Sequence, residues 1–152
     1  MNLYFVRHGY AENAFPDEKR NLTQHGIEIL QNSIDVWLRH ISGIEYIITS
    51  PYTRAYQTAQ IIADRFNVNN EVIIEKDLAP GSSLRQIEAL IMGLDAENIL
   101  IVGHMPDIAM IASDLLNSLT LNLVFQPSSI IGIETNSRLT STSLKFFLPP
   151  VL

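Results

Sequence analysis

Short runs of β-branched and aromatic residues alternate along this chain with longer amphipathic segments, the arrangement expected of an α/β domain on a mainly parallel sheet. The spacing predicts strands over 2–7, 45–49, 71–75, 98–103, 129–134 and 143–148. Ile99-Leu100-Ile101-Val102 is the clearest, an unbroken apolar run short enough for a strand covered on both faces. It belongs at the centre of the sheet.

Between the strands, four segments carry helical spacing. A first helix is expected from Thr23, whose hydroxyl can cap it, to about Ile41, with Ile27, Leu30, Ile34 and Leu38 on one face. A second is expected over 51–66, with Ser50 as N-cap, Pro51 at the first helical position, and Ala55, Ala59, Ile62 and Phe66 as its buried stripe. A third covers 83–93. A fourth runs from Pro106 to Leu119 with Ile108, Ile111, Ala112 and Leu115 inward. The polar stretch from Asn13 to Asn21 reads as a mobile lip, and the apolar segment Leu119–Phe125 as either core or an interaction edge.

Composition narrows the chemistry. At 152 residues, 47% of them hydrophobic, the chain has the material for one compact domain with its own core. It has no cysteine, which excludes disulfides, thiolate metal sites and a cysteine nucleophile. A net charge of -6 argues against nucleic-acid or anionic-membrane partners, and no apolar run is long enough to span a bilayer, so a soluble cytoplasmic protein is expected. No metal-ligand spacing is evident, and neither a metal nor another cofactor is expected.

In an open parallel sheet, ligands bind beyond the carboxyl ends of the strands. Three such places carry unusual residues: Arg7-His8-Gly9 after the first strand, Ser50-Pro51 with Arg54 after the second, and Gly103-His104 after the central run. Gly9 removes a side chain that would keep a ligand from the backbone. Arg54, one turn into a helix, would direct its planar fork to an anion at the helix N-terminus. His104 precedes Met105-Pro106 and the start of another helix. His25 and His40 lie away from any strand end and are given no role.

Together Leu3-Tyr4-Phe5-Val6-Arg7-His8-Gly9, Ser50-Pro51-Tyr52-Thr53-Arg54-Ala55 and Ile101-Val102-Gly103-His104-Met105-Pro106 resemble the histidine phosphatase, or phosphoglycerate-mutase-like, superfamily. The resemblance implies a three-layer sandwich with His8 as nucleophile, Arg7 and Arg54 on the phosphoryl oxygens and His104 as a donor to them. Arg20-Asn21-Leu22-Thr23 is similar to the short SixA-type branch, which implies that Arg20 contributes to the pocket; Gly9 and Ser50, at the strand ends, are expected to contact substrate as well. The resemblance also implies a signalling role, removing phosphate from a histidine phosphotransfer protein. Two departures stand out. Tyr10 replaces the acidic or small residue common after Arg-His-Gly, and Pro80 stands where many members carry a general-acid glutamate, with Asp77 the nearest substitute.

The missing acid favours a nitrogen–phosphorus bond, whose leaving imidazole can take its proton from solvent, over a phosphate ester. The short connection from Arg54 to His104 leaves no room for a large cap, which suits a protein substrate. A small-molecule phosphomonoesterase and a non-catalytic phosphoprotein-binding module are the competing readings. The sequence assigns no oligomeric state.

Overall fold

A computed structural model describes residues 1–118 and 122–152. Six strands form one sheet: β1 (Asn2–Arg7), β2 (Tyr46–Thr49), β3 (Ile73–Ile74), β4 (Asn98–Gly103), β5 (Ile130–Thr135) and β6 (Thr142–Leu148), in the order β3-β2-β4-β1-β5-β6. β3, β2, β4 and β1 run parallel, while β5 and β6 are added antiparallel. Among the described residues four α-helices accompany them: α1 (Gln24–Trp37), α2 (Thr53–Phe66), α3 (Leu84–Gly93) and α4 (Asp107–Leu115).

Alternation along the strands sorts the core into two layers. Leu3, Phe5, Ile99, Ile101, Ile131 and Ile133 pack with Ile87 and Ile91 of α3 and Ile108, Ile111 and Leu115 of α4. Tyr4, Val6, Leu100, Val102 and Ile130 face the other way, against Leu30, Ile34 and Trp37 of α1 and Ala55, Ala59 and Ile62 of α2. The three-layer architecture follows from this period of two. Ile99 to Val102 are wholly inaccessible, as a strand covered on both faces requires.

The helices differ from expectation at their ends. α1 stops at Trp37, and its buried stripe is Ile29, Leu30, Ser33, Ile34 and Trp37, leaving Leu38 exposed and Ile27 at the margin. Trp37, the largest fully buried side chain, sets that rotation. α2 begins at Thr53, with Tyr52 at its N-cap, so Ser50 and Pro51 form the turn before it rather than its first residues. Phe66 is only half-buried, and Arg54 and Thr58 take the inward places beside Ala55, Ala59 and Ile62. β3 shrinks to two residues at the sheet edge. α4 ends at Leu115; Leu119 and the start of the 119–125 segment lie outside the described residues, while Phe125 is core.

Thr23 caps α1 as expected, its hydroxyl accepting from the Gly26 amide at 2.9 Å. Its own amide donates to the Tyr10 carbonyl at 3.0 Å, tying the helix start to the chain leaving β1. Thr23→Ala should cost about 1 kcal/mol of stability in urea denaturation.

Candidate active site

Because β1 and β2 pair in parallel with β4 on either side, their carboxyl ends lie on one edge of the sheet. The His8 amide donates to the Gly103 carbonyl at 3.2 Å, so His8 and His104 leave adjacent strands side by side, ring centroids 5.2 Å apart. α2 enters at the same edge and turns Arg54 inward. These residues line a cavity of about 380 Å³ together with Arg7, Gly9, Arg20 and Asp17. A larger open depression of about 770 Å³, beside Tyr56, Gln60 and Asn70, contains neither histidine nor arginine.

His8 Nδ1 lies 2.8 Å from the Gly9 carbonyl, an acceptor only, so Nδ1 carries the proton. Nε2 then holds a lone pair, and it accepts from Arg54 Nε at 3.2 Å. Burial above all pushes His8 down to about 3, with His104, Arg54 and Arg7 adding to the effect against the Gly9 hydrogen bond. Burial and then Arg54 push His104 down to about 4. Both imidazoles are neutral at ordinary pH.

Arg54 is almost fully buried; it donates through Nη1 to the Asp17 carbonyl at 2.7 Å and through Nη2 to the Asp17 carboxylate at 3.3 Å. The same carboxylate accepts from Arg20 Nη1 at 3.1 Å, and Arg20 Nε donates to the Glu12 carbonyl at 2.6 Å. Asp17 is held below the usual carboxylate range chiefly by its hydrogen bond from Arg20. Arg7 donates to the Phe125 carbonyl at 2.7 Å. Two nitrogens of cavity-lining residues, Arg7 Nε and His104 Nδ1, are buried without a partner among the described residues. An orphaned Arg7 N–H and an unpartnered imidazole nitrogen beside three guanidinium groups suit an anion.

A model of the histidine phosphatase superfamily (branch 1) matches residues 3–79. The chain belongs to that superfamily. It is 31% identical over 129 residues to a phosphohistidine phosphatase SixA homolog of Haemophilus influenzae, spanning 76% of this chain and 77% of that protein. With the phosphohistidine phosphatase SixA of Escherichia coli it shares 27% over 120 residues, 76% of this chain and 74% of that one. A solved structure of the protein histidine phosphatase SixA complexed with tungstate superposes with a TM-score of 0.86 at 21% identity, over 98% of this chain and 97% of the other, which establishes the shared fold. The protein is a phosphatase of this superfamily.

Within this phosphatase, Arg7, His8, Gly9, Arg20, Arg54 and His104 all meet at the one cavity. Ser50 does not: it is fully buried, and its hydroxyl lies 2.7 Å from His104 Nε2, outside the cavity lining. A Cβ at Gly9 would come within 3.2 Å of the Leu22 side chain, which would have to shift slightly to admit it. Asp77 is exposed and outside the lining, which includes Pro80 instead. The expected mobile lip is tied down: Gln57 on α2 accepts from the Leu22 amide at 2.8 Å and donates to Asn21 at 3.1 Å, in addition to the Asp17 contacts. His25 pairs with Glu28 at 3.8 Å and His40 packs on Phe146, both away from the site.

Sequence reasoning missed three residues. Asp17, three places before Arg20, is the acidic bracket of Arg54 and Arg20. Thr58, one turn after Arg54, accepts from the Gly9 amide at 3.0 Å and donates to the Arg54 carbonyl at 2.7 Å, joining the two halves of the site. Asp107 accepts from the amides of Gly81 at 2.8 Å and Ser82 at 3.2 Å, holding the Pro80 loop over His104. An aspartate in the first turn of a helix, directly after Met-Pro, was its available signal.

The depressed histidines couple pH to stability. Below about 6.5 the unfolded chain takes up a proton at position 8 that the folded site refuses until about 3, so this contribution is complete above pH 6.5 and lost as pH falls. Wild type should therefore lose stability more steeply than His8→Asn between pH 6 and 4.5, the difference approaching about 1.4 kcal/mol per pH unit in urea titrations.

Proposed function

We propose that this protein hydrolyses phosphohistidine on a protein, with a histidine phosphotransfer domain as substrate and a covalent phosphohistidine on His8 as intermediate. The observation that carries this reading is the lining of the cavity: a neutral Nε2 lone pair stands among three arginines, and among the described residues no free carboxylic acid lines the cavity with them. Asp17 lines the cavity and is ionised and engaged by Arg54 and Arg20, while Asp107, whose charge reaches His104, accepts from the Gly81 and Ser82 amides. An alcohol leaving group would need a proton that this site does not deliver. A phosphorylated imidazole protonated on its other nitrogen leaves as the neutral ring and needs none. The names of the SixA relatives support the same substrate class.

In the first step, the Nε2 lone pair of His8 attacks phosphorus in line. The phosphorus–nitrogen bond of the substrate breaks and its electron pair stays on the departing imidazole. His8 keeps its Nδ1 proton throughout, stabilised by the Gly9 carbonyl as the ring becomes cationic. Arg7, Arg54, Arg20 and His104 place donors on the equatorial oxygens, so catalysis is mostly placement and charge. Water then attacks phosphorus, the bond to Nε2 breaks, and its two protons leave with the phosphate as dihydrogen phosphate. His8 returns neutral.

A cavity of about 380 Å³ has room for a phosphorylated side chain projecting from a protein surface. Phosphate release should be faster from a phosphohistidine protein than from small phosphate esters, and His8→Ala should abolish it while retaining the fold. Rapid acid-avoiding quench of the wild type should trap label on His8. Faster ester hydrolysis would make the protein a small-molecule phosphatase; binding without release would make it a phosphoprotein-binding module.

Arg54 both donates to the nucleophile and faces the phosphoryl oxygens. Arg54→Ala should lower kcat by about 10²–10³-fold, as removal of an oxyanion donor does, measured in single-turnover assays. A twofold change would remove Arg54 from the reaction.

A further inference from the structure

We propose that Ser50 is a positioning residue that sets the tautomer of His104, making Nδ1 the protonated nitrogen that donates to the phosphoryl group. The proposal rests on the reading of the cavity as a phosphoryl site. It replaces the expectation that Ser50 itself contacts substrate.

Strand pairing fixes the geometry. Thr49 and Val102 are partners in the β2–β4 ladder, and the Ser50 amide donates to the Val102 carbonyl at 3.1 Å, so the chain leaves β2 in register with β4. The Ser50 hydroxyl thereby arrives 2.7 Å from His104 Nε2. The Tyr52 amide points at the same oxygen from 3.2 Å and can only donate. The ring of Tyr52 meets His104 edge-on at 5.2 Å, and Arg54 lies over that ring at 5.1 Å, bracketing the imidazole from outside.

A serine hydroxyl has one hydrogen. Ser50 is fully buried, and among the described residues His104 Nε2 is the acceptor placed to receive it. If Nε2 carried a proton, two donors would converge on the Ser50 oxygen and its own hydrogen would be buried unspent. The unpartnered Nδ1 of this cavity-lining ring would then carry a lone pair, which repels phosphoryl oxygens. With the hydroxyl donating to Nε2, the Ser50 oxygen accepts from Tyr52, both Ser50 and Nε2 are satisfied, and the orphaned Nδ1 becomes a donor awaiting an anion. Because burial keeps the ring neutral, it has one proton to place, and Ser50 decides where.

Long-range 1H–15N spectra of the 15N-histidine-labelled protein at pH 7, with His104 assigned by its loss in His104→Gln, read the tautomer directly. Wild type should show His104 protonated on Nδ1, and Ser50→Thr, which keeps the hydroxyl, should show the same. Ser50→Ala should move His104 toward the Nε2-protonated form that free histidine prefers, and should weaken inorganic phosphate binding tenfold or more in the same titration. Nε2 protonation in the wild type, or unchanged tautomer and phosphate affinity in Ser50→Ala, would overturn the proposal. The wild-type spectrum needs no substitution to fold. A protein that shows Nδ1 protonation and binds phosphate yet releases none from phosphohistidine would sustain the role of Ser50 while overturning the catalytic reading.

Discussion

The parallel pairing of β4 with a neighbour on each side governs where everything else in this protein stands. Its apolar residues from Ile99 to Val102 are removed from water on both faces, so its position in the sheet is not negotiable. β1 and β2 must align with it in register, and their carboxyl ends therefore reach the same edge. His8, Ser50 and His104 are the next residues along those strands. The site is where the core ladder ends.

What gathers there is an excess of cationic donors on a chain whose net charge is -6. Three guanidinium groups and two imidazoles share a small volume, and the burial that disfavours any added charge keeps both imidazoles neutral. Neutrality leaves a lone pair on His8 Nε2, which accepts from Arg54. Asp17 offsets part of the guanidinium charge and orients Arg54 and Arg20, yet those same interactions keep it from serving as a proton donor. One electrostatic arrangement thus keeps both imidazoles neutral and Asp17 ionised.

Contacts behind the cavity hold that arrangement in place. Thr58 links the Gly9 amide to the first turn of α2, Gln57 anchors the chain at Asn21 and Leu22, and Asp107 fastens the Pro80 loop to the start of α4. Catalytic placement tolerates little displacement. Each of these side chains joins elements distant in sequence at the sheet edge.

The strands, the α/β class, the capping of α1 by Thr23 and the convergence of Arg7, His8, Arg54 and His104 were legible in the sequence, because hydrophobic period and strand-end position are local properties. The rotation of α1 was not, since the bulk of Trp37 against the sheet outweighed the apolar spacing of Ile27 and Leu38. Neither was the start of α2: Ser50 and Pro51 have the residue types of a helix entry, but the Ser50 hydroxyl is spent on His104 and the Tyr52 amide. Residue type and spacing thus determined which side chains could do chemistry and which strand ends would present them. The tertiary structure decided which nitrogen of each histidine is engaged, that Asp17 brackets the arginines, and that Ser50 stands behind the site, because hydrogen bonds between distant segments exist only once the sheet has set their separation.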